Sequence, residues 1–210
     1  MPFSRIHPVR NRVLKGMYVD RFIFTGPPGS GKTTLLQHLA QDGFAIAAEA
    51  ATDVIATKQR QGVDEPWRDP SFIDAIARLQ EERQVALGGS TRIQLYDRSP
   101  ICTAALANWL GHPISEGLHR EIDRMLHEQI YRTEVFFIES LGFLTPTEAR
   151  RMNLADSIRF GDLNEQTYAA YGFRPIRVRP APVAQRVAAV RQGLALLCSA
   201  KGSMPGCRDG

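Results

Sequence analysis

"RFIFTGPPGSGKTTLLQHLA", residues 21–40, decides the fold. Arg21 to Thr25 is a short apolar run that ends at a glycine and reads as a buried strand. Gly26, Pro27, Pro28, Gly29, Ser30, Gly31, Lys32 and Thr33 then fit the spacing G-x-x-x-x-G-K followed by Ser or Thr, and Thr34 continues the run. Each residue type has a physical reason. Gly29 and Gly31 permit positive φ, so that backbone N–H groups can close around a phosphate. Lys32 reaches terminal phosphates as a point charge, and the Thr33 hydroxyl can coordinate Mg²⁺. From Thr34 to Ala40 the spacing predicts a helix, whose N-terminus favours an anion. Strand before, helix after and a complete motif between them set this stretch apart from a chance glycine-rich turn.

The chain has 210 residues, enough for one domain with a small lid. At 43% apolar and 23% charged it has an ordinary globular composition. The net charge is +4, and 22 of the 26 basic residues are arginine, which suits clamping phosphates. No basic run is interleaved with aromatics, so nucleic acid is not a favoured partner. No apolar run reaches the roughly 18 residues of a transmembrane helix, and no apolar signal segment is present. Residues 1–19 are basic and read as a flexible arm, with a transit peptide or a start at Met17 as alternatives. Cys102, Cys198 and Cys207 are odd in number and lack metal-ligand spacing, which fits a reducing cytoplasm. Residues 200–210 read as a loose tail.

Five apolar runs recur along residues 20–199: 21–25, about 44–48, 92–97, 134–138 and 175–178. Helical spacing lies between or after them at 71–87, 101–111, 115–131 and 183–198. Residues 57–70 are polar and broken by prolines, and are expected to form a loop. Residues 145–173 are charged and poor in apolar residues, with no evident core face, and are expected to be a charged lid. Strands alternating with helices predict an α/β fold: a parallel sheet covered by helices on both faces, a three-layer sandwich. Ligands then lie at the carboxyl ends of the strands.

The charged residues at those ends become candidates: Glu49, Asp97, Arg98 and Glu139. Phosphoryl transfer needs a metal-side carboxylate, cations on the γ-phosphate and a group that orients the attacking oxygen. Asp97, closing the strand "QLYD", is the first candidate for the Mg²⁺ carboxylate, with Thr33 as its partner. Glu139, after "VFFI", is its rival. Arg98 is placed to meet a phosphate or a substrate hydroxyl, and Glu49, with Asp53 nearby, to act as general base or merely to cap a helix. The lid carries Arg150, Arg151 and Arg159, with Asp156, Asp162 and Glu165. Arginines there would neutralise transition-state charge. Trp67 either stacks on a substrate ring or simply packs. The five histidines show no ligand spacing.

"GPPGSGKTT", "EAATDVI" and "YDRSP", followed by a charged lid, resemble the small AAA-type ATPase domains related to the ribosylnicotinamide kinase domain, within the wider nucleoside and nucleotide kinase family. The resemblance spans about residues 20–195, and only the P-loop in it is highly specific. It implies a P-loop NTPase sandwich with a five-stranded parallel sheet in the order 2-3-1-4-5. It implies that Gly26 to Thr34 bind ATP and Mg²⁺. "DRS" at Asp97, Arg98 and Ser99 is similar to the acid-Arg-Ser element of deoxynucleoside kinases, where the acid serves the metal and the arginine the substrate. Glu49 matches their hydroxyl base, and Arg150, Arg151 and Arg159 fall where they carry lid arginines. The chain departs from the family in following Glu49 with Ala50 and Ala51 rather than proline or arginine. Some relatives are described only as nucleotide-binding. No N-K-x-D motif is present, so ATP is expected over GTP. The leading expectation is a kinase acting on a hydroxyl of a nucleoside-like or other small metabolite. The alternatives are an AAA-type ATPase or nucleotide-dependent regulator acting on a protein partner through Glu139, and a binding module without turnover.

Overall fold

Successive side chains of a strand point to opposite faces, and the central strands of this sheet are buried on both. In the computed structural model, which describes residues 19–89, 91–143 and 152–199, strand β1 (Asp20–Thr25) sends Phe22 and Phe24 to one side and Ile23 to the other, all with no solvent exposure. The basic arm up to residue 18, the tail from 200, Cys207 and the lid residues Arg150 and Arg151 lie outside the described residues.

The other elements follow in chain order: α1 (Lys32–Gln41), β2 (Ala45–Ala47), α2 (Ala50–Arg60), a 3₁₀ turn (Pro66–Arg68), α3 (Ser71–Leu87), β3 (Ile93–Asp97), α4 (Pro100–Leu110), α5 (Glu116–His127), β4 (Glu134–Ile138), α6 (Leu154–Ala170), β5 (Arg174–Val178) and α7 (Val183–Ser199). The strands form one parallel sheet in the order β2-β3-β1-β4-β5, as the family resemblance implies. On one face α1 and α7 bury Leu35, Leu39, Val190 and Leu194 against Phe22, Phe24 and Phe136. Phe24 and Phe136 stack at 5.0 Å. On the other face Tyr96, Ile101, Met125, Val135 and Tyr168 gather around Ile23. A third cluster, with Val54, Phe72, Ile76, Ala104 and Ile122, joins α2, α3, α4 and α5 beyond the β2 edge.

Two expectations differ from the structure. The presumed loop at 57–70 begins inside α2, which runs to Arg60, and it contains the 3₁₀ turn. Asp53 in the first turn of α2 and Lys58 and Arg60 in the last complement the helix dipole. The lid segment also has a core face after all. Asn153 caps α6 by accepting from the Asp156 N–H at 2.8 Å. The buried stripe below is Ser157, Phe160, Gly161, Asn164 and Tyr168. Phe160 meets Trp109 of α4 edge-on at 5.6 Å. Burying Phe160 and Tyr168 contributes roughly 1.5–3 kcal/mol each, enough to seat the helix.

Candidate functional site

The loop between β1 and α1 is shaped by its glycines. Gly26 has φ 130°, and a Cβ there would lie 2.2 Å from the Ile138 carbonyl oxygen, so the loop passes directly over the end of β4. Gly31, at φ 81°, is the N-cap of α1. Lys32 turns back into the loop. Its Nζ donates to the carbonyls of Gly26 at 3.1 Å and Pro27 at 2.9 Å and to Ser30 Oγ at 3.3 Å. Burial and the nearby Arg98 charge lower the Lys32 pKa to about 7, against the opposing pull of Asp97 and Glu49.

Asp97 closes β3, one strand in from the β2 edge, and is 5% exposed. The Thr33 hydroxyl donates to its Oδ2 at 3.5 Å, a long contact, while Oδ1 is buried with no partner among the described residues. Burial is the largest influence on this carboxyl and raises its pKa, although Lys32 pulls it down. A desolvated carboxylate oxygen with an open lone pair, beside a threonine hydroxyl, is a hard-oxygen donor set that suits Mg²⁺. No group of three or more His, Cys, Asp or Glu is placed to hold a metal among the described residues. Such a pair fits a magnesium that takes its other ligands from water and phosphates rather than from a protein cage.

Arg98 follows at φ 74°, a left-handed conformation that costs a non-glycine residue of order 1–3 kcal/mol. Its N–H donates to the Phe24 carbonyl at 3.0 Å, which ties the turn to β1. Its Nε donates to Glu49 Oε1 at 2.6 Å, while Nη1 is buried and unpartnered among the described residues. Burial opposes the Arg98 charge, but Glu49, Cys102 and Asp97 outweigh it and raise its pKa. Glu49 begins α2 and accepts from the Thr52 hydroxyl at 2.8 Å on its second oxygen. Burial would raise the Glu49 carboxyl, yet Arg98 and Lys32 more than offset it and hold it at about 2. With both oxygens engaged, this carboxylate is a hydrogen-bond acceptor rather than a strong base in the ligand-free protein.

These groups share one cavity of about 740 Å³. Lys32, Thr33 and Thr34 line it together with Asp97, Arg98 and Glu49. The same cavity is lined by apolar and aromatic side chains that include Trp67, Phe72, Ile76, Leu106 and Trp109. Within it, the Thr103 hydroxyl donates to Gln80 Oε1 at 2.9 Å. The remaining candidates are placed elsewhere. Glu139 accepts from Arg177 Nη1 at 3.2 Å and does not line the cavity. Asp53 is paired with Arg83 on the surface, and Glu165 with Arg177. Arg159 is 70% exposed and paired with Asp156, which lines the cavity while Arg159 does not.

Two contacts had no counterpart in the sequence reading. The Ser157 hydroxyl of α6 donates to the Pro28 carbonyl at 2.7 Å, and a Cβ on Gly161 would fall 2.6 Å from Pro27 Cγ. Arg186 of α7 donates from Nη1 to the Ser30 carbonyl at 2.7 Å. The partners lie 129 and 156 residues apart in sequence and one of each pair is backbone, so no local pattern marks them.

A family model described as an AAA domain matches residues 21–186. No curated protein sequence matches the chain. Among solved structures, deoxyadenosine kinase from M. mycoides with bound dATP is similar at 13% identity and a TM-score of 0.54, over 84% of this chain and 99% of that one. A NadR protein in complex with NAD and AMP-PNP is similar at 14% identity and a TM-score of 0.61, over 92% of this chain. A NadR protein in complex with NR gives 14% identity and a TM-score of 0.59, over 91% of this chain. This chain spans about half of the NadR structures, 52% and 53%. At these identities the likeness shows the fold alone. On the family match over most of its length, the chain belongs to the AAA domain family, and its fold is like that of the deoxyadenosine kinase and NadR structures.

Proposed function

We propose that the protein is a kinase that moves the γ-phosphate of Mg·ATP to a hydroxyl of a nucleoside-like or other small metabolite. One observation carries this reading. The cavity lined by Lys32, Thr33, Glu49 and Arg98 is also lined by apolar and aromatic side chains and by one polar pair, Gln80 and Thr103. A hydrolase needs room only for water beside the γ-phosphate. A wall of this kind suits a flat, partly polar organic acceptor.

In this reading the backbone amides from Gly26 to Thr34 and the Lys32 ammonium hold the triphosphate. Thr33 and Asp97 would hold Mg²⁺, which when bound would supply charge neutralisation on the phosphates. Glu49 accepts the acceptor's hydroxyl proton in a hydrogen bond and Arg98, held against Glu49, offers its free Nη1 to the acceptor or to the moving phosphoryl group. The acceptor oxygen bonds to Pγ as the bridging oxygen–phosphorus bond breaks. The electron pair of that bond leaves with ADP, and the hydroxyl proton leaves to water or Glu49. Phosphoryl transfer asks mainly for positioning and charge stabilisation, so a weakly basic Glu49 suffices. Arg150, Arg151 and Arg159 remain the proposed lid cations, with α6 as the seated base from which that lid would reach the site. Arg159 would have to leave Asp156 to serve there. Among the described residues no helix is long and apolar enough to cross a membrane, and a cytoplasmic site of action belongs to the same proposal.

The deciding experiment incubates γ-labelled ATP and Mg²⁺ with a pool of nucleosides and other hydroxylated metabolites. Label is expected in a new small molecule with the wild type and not with Lys32→Ala. Label found only in free phosphate would replace the kinase by an ATPase that acts with a protein partner.

A pH dependence follows from Lys32. Its pKa of about 7 in the free protein rises when phosphates surround it. Above pH 7 the lysine must therefore take up a proton as Mg·ATP binds. Affinity is expected to be greatest below pH 7 and to fall by up to about tenfold per pH unit above it. Calorimetry at pH 8 in two buffers of different ionisation enthalpy would report the uptake directly. Equal heats in both buffers would remove this explanation.

A further inference from the structure

We infer that Arg186 is a positioning residue for the phosphate cradle, which it braces from the side away from the nucleotide. The inference rests on the P-loop reading and adds to it a residue at the far end of the chain. A trans peptide directs its C=O and its N–H to opposite sides. Arg186 Nη1 holds the Ser30 carbonyl at 2.7 Å, so the N–H of Gly31 is directed the other way, into the loop. Ser157 holds the Pro28 carbonyl at 2.7 Å, and the N–H of Gly29 is fixed by the same rule. Two alternate carbonyls of the loop are thus tied from outside by α7 and α6. Their N–H groups are set inward before any phosphate arrives.

The rest of the Arg186 environment fits a brace better than a fold-stabilising contact. The side chain is 4% exposed. Among the described residues it makes no ion pair with a carboxylate, and its Nε is buried without a partner. Burial alone acts on its charge and lowers its pKa, with no acid beside it to compensate. Such a buried cation is a burden on the free protein and an asset once phosphate charge lies across the loop. Gly31 makes the approach possible. A Cβ there would come within 2.8 Å of Arg186 Nη2.

The test measures binding of Mg·ATP and of inorganic tripolyphosphate by calorimetry, and melting without ligand, for the wild type, Arg186→Met, Arg186→Lys and Ser157→Ala. Arg186→Met is expected to weaken both ligands about tenfold or more, while its ligand-free melting temperature stays level or rises. Arg186→Lys keeps the charge and should recover part of the loss. Unchanged affinity in Arg186→Met overturns the inference. So does a loss of affinity that comes with a large fall in the ligand-free melting temperature, which would mark a structural residue. If Arg186→Met does not fold, Arg186→Lys and Ser157→Ala decide, and wild-type affinity in both overturns it. A wild type that binds neither ligand removes the P-loop reading itself, an outcome distinct from the others.

Discussion

Lys32→Ala is expected to weaken Mg·ATP binding by about a hundredfold or more and to leave the fold in place. Charged hydrogen bonds of the kind this ammonium makes contribute about 1.5–3 kcal/mol each, and a terminal phosphate pair offers it at least two. A factor of ten in affinity corresponds to about 1.4 kcal/mol, so losing both exceeds a hundredfold. The effect on stability is far smaller, and its cause lies in the ligand-free geometry. Lys32 there satisfies the Gly26 and Pro27 carbonyls, and removing it costs about 1 kcal/mol for each neutral bond lost. The substitution also removes an amine whose burial already lowers its pKa to about 7, which offsets part of that loss. A net change of about 1 kcal/mol shifts the melting temperature of a chain this size by about 2–4 °C. Equilibrium titration and a thermal scan on the same samples check both halves. Wild-type affinity in the variant would overturn the phosphate role of the loop.

Why the loop around Lys32 was legible, and the rest less so, follows from where each signal resides. Strand, loop and helix around Lys32 are encoded within residues 21–40, and the glycines report backbone needs that only the local chain sets. The sheet was legible because its central strands, β1, β3 and β4, bury nearly every residue on both faces. Its order was not readable from periodicity and came only through family resemblance. Helix α2 was missed because its face is mostly alanine, with Ala50 and Val54 as its only buried residues, and Glu49 gives it no side-chain cap. Helix α6 was missed because three of its five buried residues are Ser157, Gly161 and Asn164, chosen for close approach and hydrogen bonding rather than for hydrophobicity. Arg159 looked like a cation for the site from its sequence position, but one turn of helix directs it to Asp156. Arg186 could not be found at all, since its partner is a backbone carbonyl in the loop itself.

Asp97→Asn is expected to lower Mg²⁺-dependent turnover by about a hundredfold or more, while Glu139→Gln leaves most of it. The two residues look alike in sequence, each an acid after an apolar strand, and the structure separates them by environment. Asp97 is buried beside Thr33 with one oxygen open, where a neutral amide cannot supply the charge that a divalent ion requires. Removing a group that stabilises charge in a transition state costs about 10²–10³ in rate in comparable sites. Glu139 is bonded to Arg177, which is about half exposed, and losing such a pair costs no more than about 1 kcal/mol of stability. The stability effects should run in the opposite order. The Asp97 pKa is raised in the folded state, chiefly by burial, so its ionised form costs stability at every pH above that raised value. At pH 7–8 Asp97→Asn removes that cost, and the ligand-free melting temperature is expected to stay level or rise as activity collapses. A loss of fold would predict the reverse, with both falling together. Initial rates across a Mg²⁺ titration, set beside thermal scans of the three proteins, distinguish these outcomes. Should Glu139→Gln prove the more damaged, Arg177 must release that carboxylate during the cycle. The acid of a hydrolysing ATPase would then lie at the end of β4 rather than β3.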